Sequence, residues 1–170
     1  GNISWQGIEV WGNKNASQYT PGAQGKLILD QAIIENAVTA VELFNPDDNN
    51  STGGIIEATD AIFLNNARAV HAKDYKNLHP VSQNEMDYFG TFNNCSFVIS
   101  NDYLGYKTFY KHVDLDRVRG LKFYGCTFTL DHTASNISQW TLGIAAYNAE
   151  FNVLPVCTNY TIPCTEYDSC

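Results

Sequence analysis

The chain has 170 residues, of which 10 are basic and 18 are acidic, so its formal net charge at neutral pH is −8. This acidic balance, without a basic patch, excludes the electrostatic footprint of a nucleic-acid-binding protein. No run of about 18 apolar residues is present, so the sequence predicts no membrane span. Only 16% of the residues are charged, while Asn, Thr and Ser are abundant. That balance is common in exported β proteins, and it predicts an extracellular or cell-surface location.

A short phrase recurs five times along the chain, and it predicts the architecture. Each copy has an apolar residue, two corner residues, a small Ala or Cys, one further residue, and then Ile or Phe. Periods of about 20–50 residues are typical of solenoids. The small residues of successive copies are 29, 34, 31 and 23 positions apart. The copies span residues 27–34, 56–63, 90–97, 121–128 and 144–151.

The corner within each copy predicts a change of strand direction. Apolar residues two positions apart, such as Leu121 and Phe123, share one face of a strand, and the corner interrupts this alternation. Asn, Asp and Gly tolerate a positive φ best among the amino acids. They occupy the second corner position in four copies, and Gln takes it in the first. These positions are Gln31, Asp60, Asn94, Gly125 and Asn148.

Stacked coils would place equivalent residues of successive copies above one another. One strand–corner–strand unit cannot bury its own apolar face, whereas neighbouring coils about 4.8 Å apart can do so together. The sequence therefore predicts two ladders that point into the coil. The large ladder contains Phe63, Phe97, Phe128 and Phe151. The small ladder contains Ala32, Ala61, Cys95, Cys126 and Ala149.

A third strand per coil is predicted because the first two copies stay similar beyond their phrase, at Ala40–Leu43 and Ala69–Ala72. Three short strands per turn of about 30 residues describe an all-β parallel β-helix, or solenoid, of about five coils. The chain resembles the right-handed parallel β-helix of pectin-lyase-like proteins over residues 5–156. Segments 113–128 and 148–153 look like coils of large secreted surface proteins of Bacteroidota.

The repeat pattern and the cysteines divide the chain into two parts. Residues 1–156 are predicted to form the coils and their connecting loops, and residues 157–170 a cysteine-containing tail or the start of the next coil. The first residues already have the pattern of a strand, and neither end shows a capping helix. We therefore expect a fragment of a longer β-helix, in which flanking coils of the same polypeptide or a protein partner cover the open ends.

The five cysteines form two groups. Cys95 and Cys126 are most simply buried free thiols at matching positions of adjacent coils, with a stacked disulfide as the alternative. In the tail, the spacing of Cys157, Cys164 and Cys170 permits one disulfide and leaves one thiol for a partner. The tail has neither a Cys-x-x-Cys pair nor a histidine, which argues against zinc.

A loop near residue 50 has a calcium-like pattern of oxygen donors, because Asp47, Asn49 and Ser51 alternate. Thr52 and Ala58, however, replace the glycine and the bidentate glutamate of a helix–loop–helix calcium site. A surface turn is the expected structure, with calcium as the alternative. No other cofactor or metal is predicted.

The most charge-dense segment provides candidate groove residues. As a strand, it would place His112, Asp114 and Asp116 on one face. Arg117 and Arg119 follow directly. Two carboxylates and a histidine in an exposed groove could bind calcium or serve acid–base catalysis. Alternatively, the segment is an ordinary solvated strand face on which the arginines balance the acids.

A cluster of aromatic side chains precedes this segment. Exposed aromatic rings can stack on glycans or anchor a protein partner. Alternatively, these rings fold over the coils as a satellite core. The cluster comprises Tyr103, Tyr106, Phe109 and Tyr110.

No catalytic residue can be assigned through the resemblance. The galacturonases with this fold typically carry Asn-Thr-Asp, Asp-Asp, Gly-His-Gly and Arg-x-Lys signatures, of which only Asp47-Asp48 is echoed here. The pectate lyases use acidic calcium ligands and an arginine base, but no recognisable ligand cluster surrounds Arg117 or Arg119 in the sequence.

The leading functional hypothesis is therefore structural: a segment of a secreted or cell-surface β-helix protein used for adhesion, surface display or partner binding. The alternative is a carbohydrate-active or glycan-binding β-helix protein of the polysaccharide lyase or glycoside hydrolase type. An enzyme should cluster acids from three or more coils on one concave face, with a metal or a basic partner. A structural module should show these residues scattered and paired in salt bridges.

Overall fold

The computed structural model describes residues 4–155, and within this range all 18 regular elements are β-strands. Three parallel sheets run along a stack of coils. Sheet I consists of β2 (Lys26–Asp30), β7 (Ile55–Thr59), β12 (Thr91–Asn93), β15 (Arg119–Tyr124) and β18 (Glu150–Leu154). Sheet II consists of β3 (Ile33–Glu35), β8 (Ile62–Leu64), β13 (Ser96–Ile99) and β16 (Thr127–Leu130). Sheet III consists of β1 (Ile8–Glu9), β4 (Val41–Glu42), β9 (Val70–Lys73), β14 (Phe109–Asp116) and β17 (Ile137–Tyr147).

Every neighbouring pair in these sheets is parallel and joins strands of successive coils. The prediction of an all-β solenoid of about five coils is confirmed, and the coils that begin with β2, β7, β12 and β15 each have the predicted third strand. The right-handed sense of the coil stays a prediction. The described part of the chain contains no helix long and apolar enough to cross a membrane.

Two antiparallel hairpins extend from the coils: β5 (Phe44–Asn45) with β6 (Asp48–Thr52), and β10 (Asn77–Leu78) with β11 (Glu85–Met86). The first hairpin contains the loop with the calcium-like pattern. There, Ser51 Oγ donates to Asp48 Oδ2 at 2.7 Å, and the Asn50 amide donates to Asp48 Oδ1 at 2.9 Å. These hydrogen bonds, that of Ser51 first, lower the pKa of Asp48. The turn is therefore organised by Asp48 rather than by Asp47.

The corners between sheets I and II have the predicted left-handed backbone. The φ angles are 50° at Gln31, 51° at Asp60, 52° at Asn94 and 58° at Gly125. Gln31 adopts this conformation although its side chain does not favour it. The stack therefore imposes one corner geometry on four successive coils, whatever residue stands there.

The large ladder is confirmed for three of its four members. Phe63 and Phe97 stack with ring centroids 4.9 Å apart, and Phe97 and Phe128 with centroids 4.7 Å apart. A second stack, which was not predicted from the sequence, joins Phe92 and Phe123 in sheet I, with ring centroids 4.8 Å apart. Both stacks point into the core of the coil.

The fifth copy of the phrase lies at a different corner, so its ladder assignments are wrong. Phe151 pairs with Leu121 in sheet I instead of joining Phe128 in sheet II. Ala149 likewise leaves the small ladder. Asn148, with φ 47°, turns the chain from sheet III into sheet I, as Arg117 does with φ 52° one coil earlier. The two corners need the same left-handed residue, so a local phrase does not distinguish them.

Candidate functional site

His112 lies inside the coil, so the prediction that it shares an outer face with Asp114 and Asp116 is wrong. Its side chain is 3% exposed and packs edge-on against Phe109, with ring centroids 4.8 Å apart. Nε2 lies 3.2 Å from the carbonyl oxygen of Thr129. Burial lowers the pKa of His112 to about 4, although this carbonyl acts in the opposite direction. The imidazole is therefore uncharged at neutral pH.

The corner between sheets II and III explains this burial. His112 precedes an inward-facing valine in the same way as Ala40 and Ala69 do in the two coils below. All three residues and the valines that follow them are buried. Two consecutive inward residues break the alternation expected of a simple strand. The sequence carried this signal, because the match between the third strands extends to His112.

Asp114 lies on the outer face of sheet III, in a row of side chains that was not predicted from the sequence. Strand pairing places Glu42, His71 and Asp114 side by side in three successive coils. Nδ1 of His71 lies 3.8 Å from Oε1 of Glu42, and its Nε2 lies 3.9 Å from Oδ2 of Asp114. The imidazole therefore stands between two carboxylates that are far apart in sequence.

Basic side chains lie against Asp114, and His71 lies against Glu42. Nζ of Lys111 lies 2.9 Å from Oδ1 of Asp114, and Nε of Arg68 lies 3.7 Å from Oδ2. Burial by itself raises the pKa of Glu42, but the hydrogen bond and the charge of His71 outweigh burial and lower this pKa overall. The row is therefore a partly buried network of ion pairs and hydrogen bonds.

Asp116 and Arg117 lie at the corner between sheets III and I. Nε of Arg117 donates to Oδ1 of Asp74 at 2.6 Å, and Nη1 lies 2.9 Å from Oδ1 of Asp116. The hydrogen bond from Arg117 lowers the pKa of Asp74 against the opposing effect of burial. Arg117 thus links two coils.

Arg119 belongs to a third group, at the start of β15. Its Nε lies 3.2 Å from Oε2 of Glu150 and 3.7 Å from Oδ1 of Asp87. These side chains are largely exposed, and exposed pairs of this kind contribute little to stability. The five predicted groove residues therefore belong to separate places instead of forming one site.

The aromatic cluster forms a satellite core, with one exception. Tyr103 and Phe109 are buried against Ile99, and Tyr106 packs beside them. Tyr110 points outward and is 55% exposed. Of the four rings predicted as stacking candidates, Tyr110 alone is open to a ligand.

A shallow groove follows the outer side of sheet III. It consists of two adjoining depressions of about 170 and 210 Å³, both of which are lined by Val38 and Thr39. We call this surface the sheet III groove. Its acidic end is lined by Gln6, Glu9, Glu42 and Pro46. Its basic end is lined by Arg68, Lys107, Thr108, Tyr110 and Lys111.

The remaining predictions concern the cysteines and the possible metal ligands. Cys95 and Cys126 are free and lie at matching positions of adjacent coils, as predicted, but only Cys95 is buried, whereas Cys126 is half-buried. Cys157, Cys164 and Cys170 lie outside the described residues. Within residues 4–155, no group of three or more His, Cys, Asp or Glu side chains could hold a metal ion.

Comparison with known proteins does not assign the chain to a family. No protein-family model matches the chain, and no curated protein and no solved structure is significantly similar to it. The relationship to pectin-lyase-like proteins and to surface proteins of Bacteroidota therefore stays a prediction from the sequence.

Proposed function

We propose that the chain is a structural and binding segment of a secreted or cell-surface β-helix protein, built on a right-handed, pectin-lyase-like coil. This proposal rests on one observation: the candidate groove residues of the charged segment lie at separate places in the structure. His112 is buried, and Asp114, Arg117 and Arg119 belong to three different ion-paired groups. Acid–base catalysis needs its groups to converge on one reacting bond. These residues do not converge.

The interior supports a scaffold role. Phe97 stacks between Phe63 and Phe128, and the pairing of sheet III continues through all its strands. A solenoid of this kind presents a long surface whose shape is set by contacts between neighbouring coils. Such a surface suits display and binding.

The surface that we propose for binding is the sheet III groove. Tyr110 offers an exposed ring, Thr108 offers a hydroxyl group, and Lys107 offers an ammonium group. A ring for stacking beside several hydrogen-bonding groups is the chemistry that recognises a saccharide. An extended glycan that lies along the coil axis is the ligand this surface fits.

The test uses the 170-residue chain and a panel of neutral and acidic polysaccharides. Affinity electrophoresis measures binding, and new reducing ends together with ultraviolet absorbance measure turnover. We expect retention by at least one polysaccharide, loss of retention in Tyr110→Ala, and no turnover. Tyr124→Ala, outside the groove, is the matched control. If no polysaccharide retards the chain, or if both variants behave alike, the assignment of the groove is wrong.

A second candidate function is carbohydrate-active, and one observation favours it. Glu42, His71 and Asp114 come from three successive coils and lie beside the sheet III groove. Carboxylates on either side of a sugar are the usual machinery of glycoside hydrolysis. Turnover that is present in the wild-type chain and lost in both Glu42→Gln and Asp114→Asn would establish this alternative.

We include in the proposal a neighbour over the last coil that the structure describes, either flanking coils of the same polypeptide or a protein partner. Leu142, Tyr147, Val153 and Leu154 are exposed there, and apolar groups of this size are usually covered. Their exposure supports that part of the proposal.

A further inference from the structure

A larger concave site lies away from the sheet III groove, between the loop of residues 14–20 and the segment 74–83 that contains the start of the second hairpin. Its volume is about 670 Å³, within the range of about 300–1,000 Å³ that is typical of small-molecule sites. Arg117 completes the lining from the corner before β15. We call this site the loop cleft.

Buried hydrogen bonds fix the two walls of the loop cleft to each other. Oδ1 of Asn77 accepts from the backbone amide of Gln18 at 2.9 Å, and Nε2 of Gln18 donates to the Gly53 carbonyl at 3.0 Å. The Tyr75 hydroxyl donates to the carbonyl of Ala16 at 2.7 Å. Gln18, Asn77 and Tyr75 are all buried. The cleft is therefore preformed, which reduces the ordering cost of binding.

The lining of the loop cleft is basic, although the protein has a net charge of −8. Lys14, Lys76 and Arg117 line it, and Asp74 is the one carboxylate among the lining residues. Asp74 is already paired with Arg117 at 2.6 Å. Among residues 4–155, neither Lys14 nor Lys76 forms a salt bridge. Two ammonium groups are thus free to meet an anion from solution.

The other lining residues restrict the kind of anion. Leu78 and Pro80 give the wall an apolar surface beside the lysines. A long polyanion would extend from the cleft over an acidic protein and be repelled, whereas a compact anion would not. We propose that the loop cleft binds a compact organic anion. Its carboxylate, sulfate or phosphate group contacts Lys14 and Lys76, and its apolar part lies against Leu78 and Pro80.

Isothermal titration calorimetry on the 170-residue chain tests this proposal with benzoate, phenyl sulfate and phenyl phosphate as probes. Phenol supplies the same ring without a charge, and inorganic phosphate supplies the charge without a ring. We expect one-site, saturable binding of at least one phenyl anion, at least about tenfold tighter than phenol. The order of the three phenyl anions identifies which anionic group the cleft prefers.

Variants distinguish binding in the loop cleft from attraction by the overall charge of the protein. The double variant Lys14→Ala/Lys76→Ala should lower the affinity for the preferred anion at least about tenfold. The matched control, Lys26→Ala/Lys122→Ala, removes the same amount of charge from the outer face of sheet I and should leave the affinity for this anion unchanged. Leu78→Ala should weaken the binding of the phenyl anion but not the binding of inorganic phosphate.

Three results would overturn the proposal. One is the absence of saturable binding for all three phenyl anions in the folded chain. Another is an equal loss of affinity in the two double-lysine variants, since this would reflect net charge alone. The third is phenol binding as tightly as the anions, because the lysines would then contribute nothing.

Discussion

Phe97 stacks on Phe63 with ring centroids 4.9 Å apart and ring planes within 4° of parallel, although 34 residues separate them in the chain. The ring spacing equals the distance of about 4.8 Å between hydrogen-bonded strands. One register therefore satisfies the backbone ladder and the aromatic packing together. This agreement specifies how each coil lies on the next.

Removing the middle ring of this stack should destabilise the coil strongly. Phe97→Ala leaves a cavity between Phe63 and Phe128, and the expected loss in the free energy of unfolding is about 3–5 kcal/mol. Phe151→Ala is the matched control, because Phe151 is only partly buried and lies outside the stack. Urea denaturation followed by circular dichroism measures both. Equal losses in the two variants would contradict the ladder.

His112 should make the fold sensitive to mild acid. The unfolded histidine titrates near pH 6.5, whereas the folded one has a pKa of about 4. Between these values the unfolded state binds more protons, so stability is complete above about pH 6.5 and is lost as the pH falls toward 4. For full protonation the loss is about 3 kcal/mol.

Urea midpoints measured at a series of pH values between about 5 and 7 test this dependence. His112→Leu should remove most of the slope, since leucine cannot be protonated. His132→Asn, a substitution on the surface, should leave the pH dependence of the urea midpoint unchanged. A slope that persists unchanged in His112→Leu would show that other groups cause the acid sensitivity.

The corners illustrate what the sequence could and could not predict. Asp60, Asn94 and Gly125 signal a left-handed backbone locally, and the structure has it there. Asn148 has the same local chemistry but belongs to a different corner. The step of 23 residues before it, shorter than the others, was the available sign of that difference. A corner residue specifies that the chain turns, whereas the sheet it turns into depends on stacking.

The candidate site was harder still to predict from local sequence than the corners. Glu42, His71 and Asp114 become neighbours only when three coils are in register, so spacing along the chain does not reveal the row. His112 was misplaced because strand alternation was assumed where two consecutive residues point inward. Local pattern thus predicted the strands and the core better than the outer surface.

Gln31 provides a test of the strain imposed at a corner. Its φ of 50° is unfavourable for glutamine and acceptable for asparagine. Gln31→Asn should therefore increase the free energy of unfolding by about 0.5–1 kcal/mol. Gln6→Asn, at a surface position without positive φ, should have no measurable effect. A loss of stability in Gln31→Asn would mean that the glutamine side chain makes a contribution larger than the strain.

The two interior thiols should differ in reactivity. Cys95 is buried, and its contact with Cys126 and its burial both raise the pKa of the Cys95 thiol. Cys126 is half-buried, and the hydrogen bond with Cys95 lowers its pKa. Because the thiolate is the reactive form, iodoacetamide should label Cys126 well before Cys95 in the native chain. Peptide mass spectrometry over a time course measures this order, and equal rates would contradict it.

Asp114→Asn tests the central claim most directly, because a scaffold and an enzyme predict opposite results for it. If Asp114 serves the ion-paired network with Lys111 and His71, the variant should lose about 1–2 kcal/mol in the free energy of unfolding. Asp102→Asn, at an exposed loop position, should lose nothing. In the same samples, wild-type and variant chains should both leave the polysaccharide panel uncleaved. Wild-type turnover that disappears in Asp114→Asn while its stability stays unchanged would contradict the account.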